Sequence, residues 1–481
     1  MRQVRRPSIL FSIIAGSLLA ACSTELSVET TGVGGGAGEG GAGGSIEVTC
    51  SSQPGDHTAA CPSARGCPIV VDREIVCTDP QFAKLGQRAL TTPEASYVSV
   101  TAWDFTALFE VSADDARELE AFPLDPDVGR IALAVDATGT LAAVTDETQG
   151  NDYQGGLSFT SMSGDQFSDE SVFDQTDRYV PFSDFAFDRD GVAHVWYSSN
   201  PPAERSVARR AANGSWSHEV ATSPGVDWFR FAIGTDNQPV AFGFAEASGV
   251  GNSWQLFARV GSEERALGSA VDGSGPLRYR PLGMPMPPPV ALGIAYGAVI
   301  QHEENLVFAW PTDTGYLETI VAGTALPSYT CALGFDFETE PPCPGPCHEQ
   351  ASGLAYEAFA AVLGADGQVW LAYVETHFDT MIGYEVQDID GMDVCVGNIT
   401  SDSSRSELHL VRLRSDAAEE LLTLPLEALD RDDTSSSEAT DAQAVSLHAF
   451  GDELTIGVRV LEESGQPKVR VLRIDASAFG N

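Results

Sequence analysis

The sequence predicts an all-β protein, and three observations carry that prediction. Beyond residue 95 the apolar residues fall in short alternating stretches separated by Gly, Asp, Asn and Pro, with hardly any recurrence at helical spacing. One pattern of strand, tight turn and strand returns as RIALAVDATGTLAAVTDE, FSDFAFDRDGVAHVWYSS, FRFAIGTDNQPVAFGFAE, AVIQHEENLVFAWPTD, AFAAVLGADGQVWLAYVE and VSLHAFGDELTIGVRVLE. Several copies have a second pair of the same shape, as in RSVARRAANGSWSHEVA, TALFEVSADDARELEAF and HLVRLRSDAAEELLTL.

The turns, taken at Gly139, Gly191, Asn237, Asn305, Gly367 and Asp452, lie 46 to 85 residues apart. Four strands per unit at this spacing resemble the blades of a β-propeller, with the longer intervals leaving room for insertions. First strands such as IALAV and FAFD are apolar enough to be covered on both faces. The outer pairs alternate charged with apolar residues, as half-exposed strands do. Glycine and asparagine in the turns suit the positive φ of two-residue hairpins. The expectation is a propeller of six or seven four-stranded blades over residues 96–481, the count hinging on whether 97–127 make a blade of their own. The last hairpin is followed only by PKVRVLRID, so YVSVTAW at 97–103 is expected to supply its fourth strand and close the ring. No named propeller family's motif is complete, and the architecture alone transfers no function.

At the other end, Arg2, Arg5 and Arg6 precede an apolar run from Ile9 to Leu19 and then small residues, the layout of a secretory signal peptide over residues 1–21. The run is about half of the roughly 20 apolar residues that a bilayer-spanning helix needs. Leu19, Ala20, Ala21 and Cys22 resemble the lipobox of bacterial lipoproteins. That resemblance implies acylation and cleavage at Cys22, and anchoring by chains that bury about 0.8 kcal/mol per methylene. Ser23 rather than Asp follows, which in that family implies delivery to the outer membrane. The implied location is the cell envelope, on the periplasmic face or the cell surface.

Residues 22–45 include TTGVGGGAGEGGAGGS, with almost nothing to pack, and read as a flexible tether. Residues 46–95 read as a small module stapled by Cys50, Cys61, Cys67 and Cys77. A second set, Cys331, Cys343, Cys347 and Cys395, lies far behind it. With Cys22 acylated, the remaining cysteines are even in number and bound for an oxidising compartment, which predicts disulfides within each set. CPGPCH at 343–348 resembles a haem-attachment motif with one residue too many, and disulfides are the expected use of its thiols.

The chain carries 69 acidic against 27 basic residues, a net charge of -42. That surface repels phosphate backbones and excludes nucleic acid as a partner. The partners expected are the membrane, through the lipid anchor, and a protein or glycan of the envelope. No nucleophile elbow, zinc helix, P-loop or complete EF-hand loop occurs. Asp188, Asp190 and Gly191 in FDRDG lack the remaining calcium ligands and read as a hairpin turn. His194 reads as a half-buried strand residue with no identifiable acid partner.

The candidate site comes from the architecture. In a propeller the ends of the second strands gather around one mouth of the channel. That rule selects Asp146, Glu147, Tyr197, Glu246, Asp313, Glu375 and His377. Carboxylates converging there would favour a cation, calcium or zinc, or a cationic ligand. Two functions follow: a binding or interaction module, or a metal-dependent hydrolase or lyase working through this carboxylate and histidine set.

Overall fold

A computed structural model describes residues 50–61, 67–77, 84–102, 105–123, 131–149, 154–163, 166–173, 182–188, 190–199, 204–220, 227–233, 239–246, 253–260, 263–272, 278–281, 298–301, 305–312, 315–323, 328–329, 338–339, 343, 345–364, 368–389, 392–413, 417–426, 445–461 and 467–480. Cys22 and the segments read as signal peptide and tether lie outside these residues. Among the described residues, hydrogen bonding sorts the strands into seven antiparallel sheets.

Blade 1 runs Lys84–Thr91, Ser96–Ala102, Phe105–Val111, Ala116–Pro123. Blades 2 to 5 repeat the four-strand meander over residues 131–173, 182–220, 227–272 and 278–323. Blade 6 is built from Cys347–Leu363, Val369–Ile389, Met392–Leu413 and Ala418–Leu426. Blade 7 comprises Val445–Phe450, Glu453–Leu461 and Pro467–Asp475, completed from the other end of the chain by Ile69–Cys77 and then Cys50–Pro54. The first strands of the seven sheets neighbour one another in chain order, and Val445–Phe450 returns to Lys84–Thr91. A closed ring of meanders is a propeller, and it has seven blades.

Each blade is buried from both sides by its neighbours. In blade 3, Phe185 packs edge-on to Phe159 of blade 2 at 5.9 Å, while Trp196 on the opposite face meets Ile233 and Ala241 of blade 4. This explains why first strands read as apolar runs rather than as alternating ones.

The turns differ from the two-residue type expected. At Asp136 and at Asp188 the loop holds three residues. The Gly139 and Gly191 N–H groups donate to the Asp136 and Asp188 carbonyls, and the strands close through Asp136 N to Thr140 O and Asp188 N to Val192 O. Gly139 and Gly191 sit at φ 90° and 74°. This is a type I turn followed by a left-handed residue, the three-residue hairpin solution. The first-position aspartate explains the choice: Asp136 Oδ1 accepts from the N–H groups of Thr138 and Thr140, both at 2.8 Å.

Three other expectations are corrected. Residues 97–103 do not close the ring. Most of that stretch forms Ser96–Ala102, paired with Lys84–Thr91 inside blade 1. The closing strand is Ile69–Cys77, from the segment expected to form the Cys-rich module; that segment holds strands of two blades. Finally, AVIQHEENLVFAWPTD forms the second and third strands of blade 5, because RYRP at 278–281 supplies the first. RYRP is too short and too polar to announce itself as a strand.

The disulfides respect the two cysteine sets. Cys61 bonds Cys67 and Cys343 bonds Cys395, which removes Cys343 from any haem reading. Cys50 is disulfide-bonded and stands opposite Cys77 in the ladder. Cys331 lies outside the described residues.

Charge explains why the closing strand went unread. IVVDREIVC carries three charged residues, all buried in the folded chain: Asp72 and Glu74 face opposite charges, and Arg73 donates to the Ala113 carbonyl. Arg470 donates to both Asp72 oxygens, from Nε at 2.9 Å and Nη2 at 2.7 Å, and His57 Nδ1 lies 3.2 Å from Asp72 Oδ2. Lys468 Nζ approaches Glu74 Oε2 at 3.1 Å, with Gln53 donating to the same oxygen. The Asp72 side chain is 1% exposed and that of Arg470 7%. Removing one partner leaves an uncompensated buried charge, a loss of about 3–5 kcal/mol, whereas replacing both with apolar residues of similar size is far milder. Urea unfolding is therefore expected to show Asp72→Ala much less stable than the Asp72→Leu, Arg470→Met double variant. Equal losses in both would mean that the pair contributes only packing.

Candidate functional site

Of the residues selected from sequence, blade 6 brings together Glu375 and His377. Both lie on Val369–Ile389, alternating with residues that face the other side. Asp146 and Glu147 lie on the second strand of blade 2, opposite Leu157 and Gly156, and Glu246 ends the second strand of blade 4 opposite Trp254. The side chains of these three lie outside the described residues, as does Asp313. Asp313 follows the third strand of its blade rather than the second, so the rule that selected it does not apply. Tyr197 belongs to blade 3, where its hydroxyl is 3.0 Å from His218 Nδ1 on the fourth strand.

What surrounds Glu375 and His377 comes from the neighbouring strand. Met392–Leu413 runs antiparallel, with His409 opposite Tyr373, Glu407 opposite Glu375 and Arg405 opposite His377. Two Glu-x-His tripeptides, 375–377 and 407–409, are thereby laid head to tail in register. Each carboxylate approaches the imidazole of the other strand: Glu375 Oε2 is 3.7 Å from His409 Nε2 and Glu407 Oε2 is 3.7 Å from His377 Nε2. Within its own strand Glu375 Oε1 is 3.9 Å from His377 Nε2.

The base of this ladder is fixed. His409 is stacked on Tyr373 with ring centroids 4.8 Å apart, and its Nδ1 is 3.0 Å from Glu420 Oε2 on the fourth strand. Tyr373 itself belongs to an apolar cluster with Leu306 and Phe308 of blade 5, so the ladder lies on the flank of blade 6 that faces blade 5. Burial, followed by the charges of Glu420 and Glu375, pushes the Tyr373 phenol far above its ordinary range and keeps it protonated. Glu375, His377 and Glu407 are partly open to water.

Glu407, His409 and Glu420 were not selected from sequence. The signal was the second Glu-x-His, ELH, repeating the ETH of the preceding strand.

On blade 3 the expected hairpin turn at FDRDG is present. Asp188 Oδ1 accepts from the N–H groups of Asp190 and Val192, each at 2.9 Å. His194, expected without an acid and half-buried, is instead 2% exposed with its Nε2 3.1 Å from Asp188 Oδ2. The acid comes from its own hairpin, six residues back.

Comparisons with known proteins do not name a function. No family model and no curated protein matches the sequence. Among solved structures, the β-propeller domain of the Trilobed protease from Pyrococcus furiosus aligns at 6% identity with a TM-score of 0.42, over 84% of this chain and 98% of that one. A catalytically inactive virginiamycin B lyase from Staphylococcus aureus, with quinupristin, aligns at 10% identity and 0.40, over 83% and 98%. The polysaccharide lyase Uly1 aligns at 8% identity and 0.36, over 81% and 90%. The propeller assignment rests on strand order and ring closure within this chain.

Burial lowers the proton affinity of His194 more than Asp188 raises it, so its pKa falls below 6.5. The unfolded chain then takes up the proton first, and this group's contribution to stability is lost as pH falls below about 6.5 toward the lower folded value. His194→Gln keeps a donor toward Asp188 but does not titrate. Melting temperatures between pH 7.5 and 5 are expected to fall less steeply for this variant than for the parent chain. Parallel curves would show that His194 titrates normally.

Proposed function

We propose that this chain is a lipid-anchored cell-envelope protein whose propeller serves as a binding module, with blade 6 presenting the contact surface. The observation that carries this reading is the length of two strands. Val369–Ile389 and Met392–Leu413 have 21 and 22 residues, whereas strands of the other blades have 4 to 10. The excess forms a ribbon that continues past the end of the blade. Two-stranded ribbons are marginal in water. This one is shored up by Cys347–Leu363 alongside, by Glu338–Thr339 pairing with Val396 and Cys395, and by the Cys343–Cys395 disulfide. Such reinforcement of a segment that buries little core supports a role in presenting a surface on a rigid scaffold.

The ribbon's chemistry favours a protein partner with a basic rim and an apolar centre. Val386 is 54% exposed, and Glu385, Asp388 and Asp393 lie along the same segment. Disulfides support a compartment outside the cytoplasm. Among the described residues no helix is long and apolar enough to cross a membrane. The anchor reading rests on Cys22 and the lipobox resemblance.

Photo-crosslinking in intact cells tests the binding reading. A photoreactive residue at Val386 is expected to give a discrete adduct that the same residue at Ile320, 65% exposed on blade 5, does not give. Equal labelling at both positions, or none at Val386, would overturn it. Cys22→Ala is expected to move the protein out of the membrane fraction, and its retention there would overturn the anchor.

A further inference from the structure

We propose that the interleaved Glu-x-His pairs of blade 6 bind a divalent transition metal of the zinc class, through His377, His409, Glu375 and Glu407. This inference does not depend on the binding-module reading.

Two carboxylates directly opposite on adjacent strands repel. Glu375 and Glu407 occupy such a pair, which calls for a cation between or beside them. The nearest groups are two imidazole Nε2 atoms, at 3.7 to 3.9 Å. These separations are too long for hydrogen bonds. They are close to the spacing of two ligands on one metal, since bonds of about 2.0–2.1 Å at the tetrahedral angle put donor atoms roughly 3.4 Å apart.

His409 supplies an independent observation. Its side chain is 7% exposed, and its Nε2 is buried without a hydrogen-bond partner among the described residues. In the neutral ring that carries its proton on Nδ1 toward Glu420, Nε2 presents a lone pair toward the Glu375 carboxylate. An acceptor aimed at an acceptor in a buried place is unfavourable unless a proton or a metal cation sits between them. Carboxylate, histidine and metal in series is also the arrangement that orients a ligating imidazole, with Glu420 as the outer group.

Among the described residues no three such side chains are placed to hold a metal ion as they stand, so the site requires the carboxylates to move. The Glu375 and Glu407 side chains, 23% and 26% exposed, have room to turn, while Tyr373 and Glu420 hold His409 in place. Imidazole nitrogens suit zinc, copper or nickel, whereas calcium takes oxygen ligands. Of the two cations expected from sequence, this set therefore fits zinc. Arg405, opposite His377, is exposed at the rim.

The test is titration of the purified full chain with zinc, by calorimetry and by metal analysis after dialysis, with cobalt(II) absorption as the spectroscopic readout. One zinc per chain is expected. His377→Asn and Glu407→Gln, both at half-exposed positions, should each weaken binding, and the His377→Asn, His409→Asn pair should abolish it. Glu420→Gln should weaken binding by about 10–100-fold without removing a ligand. His57→Asn, at a distant histidine, should leave it unchanged. A parent chain that takes up no zinc at micromolar concentrations would overturn the site. So would zinc uptake unaffected by His377→Asn and Glu407→Gln in variants whose melting curves match the parent.

Discussion

Everything in this fold depends on joining the two ends of the chain. A propeller ring has no covalent closure, so its last sheet is completed by hydrogen bonds between residues nearly four hundred positions apart. Here Ile69–Cys77 pairs with Pro467–Asp475 through seven register positions, and the Asp72–Arg470 pair pins the alignment from the side. Side-chain alternation makes register the sensitive quantity: a slip of one residue would turn Val71 and Ile75 out of the cluster they share with blade 1. The close fit is visible at Gly55, where a Cβ would fall 2.1 Å from Asp72 Oδ1. Only a residue without a side chain lets the edge strand's turn lie against the buried carboxylate.

The seam between the last blade and the first adds polar bonds to its apolar cluster. The Ala89 and Thr91 N–H groups of blade 1 donate to Ser446 Oγ at 2.8 Å and His448 Nδ1 at 3.0 Å on the first strand of blade 7. Thr455 Oγ1 meets both the Thr91 and the Ser96 hydroxyls. Because Nδ1 of His448 accepts, its ring carries its proton on Nε2. Directional bonds of this kind specify one alignment of first blade against last, which apolar contacts alone would leave free to slide.

How much of this could be read in the sequence follows from what each residue reports. Asp136-x-x-Gly139 and Asp188-x-x-Gly191 announce their hairpins locally, because aspartate caps the turn and glycine accepts the left-handed position. The apolar pairs around them gave the architecture. Ile69–Cys77 is silent because Asp72 and Glu74 look like surface until their partners, distant in sequence, are known. The blade 6 ladder was half legible for a related reason. ETH and ELH each appear as ordinary strand residues, and only a register that places Glu375 against Glu407 puts both histidines on one face with both carboxylates. That register is set by the whole length of two long strands, not by the tripeptides.

Topology also relates the ribbon to the point where the chain enters the body. Cys50 lies opposite Cys77, Val76 lies opposite Lys468, and Leu461 at the end of a second strand lies opposite Pro467. The chain therefore enters blade 7 at the propeller face where second strands end. In blade 6 that is the face from which the ribbon extends, just past Glu375 and His377. The entry point of the chain and the ribbon therefore share one propeller face, because an even number of antiparallel strands separates the start of Cys50–Pro54 from the end of its blade's second strand.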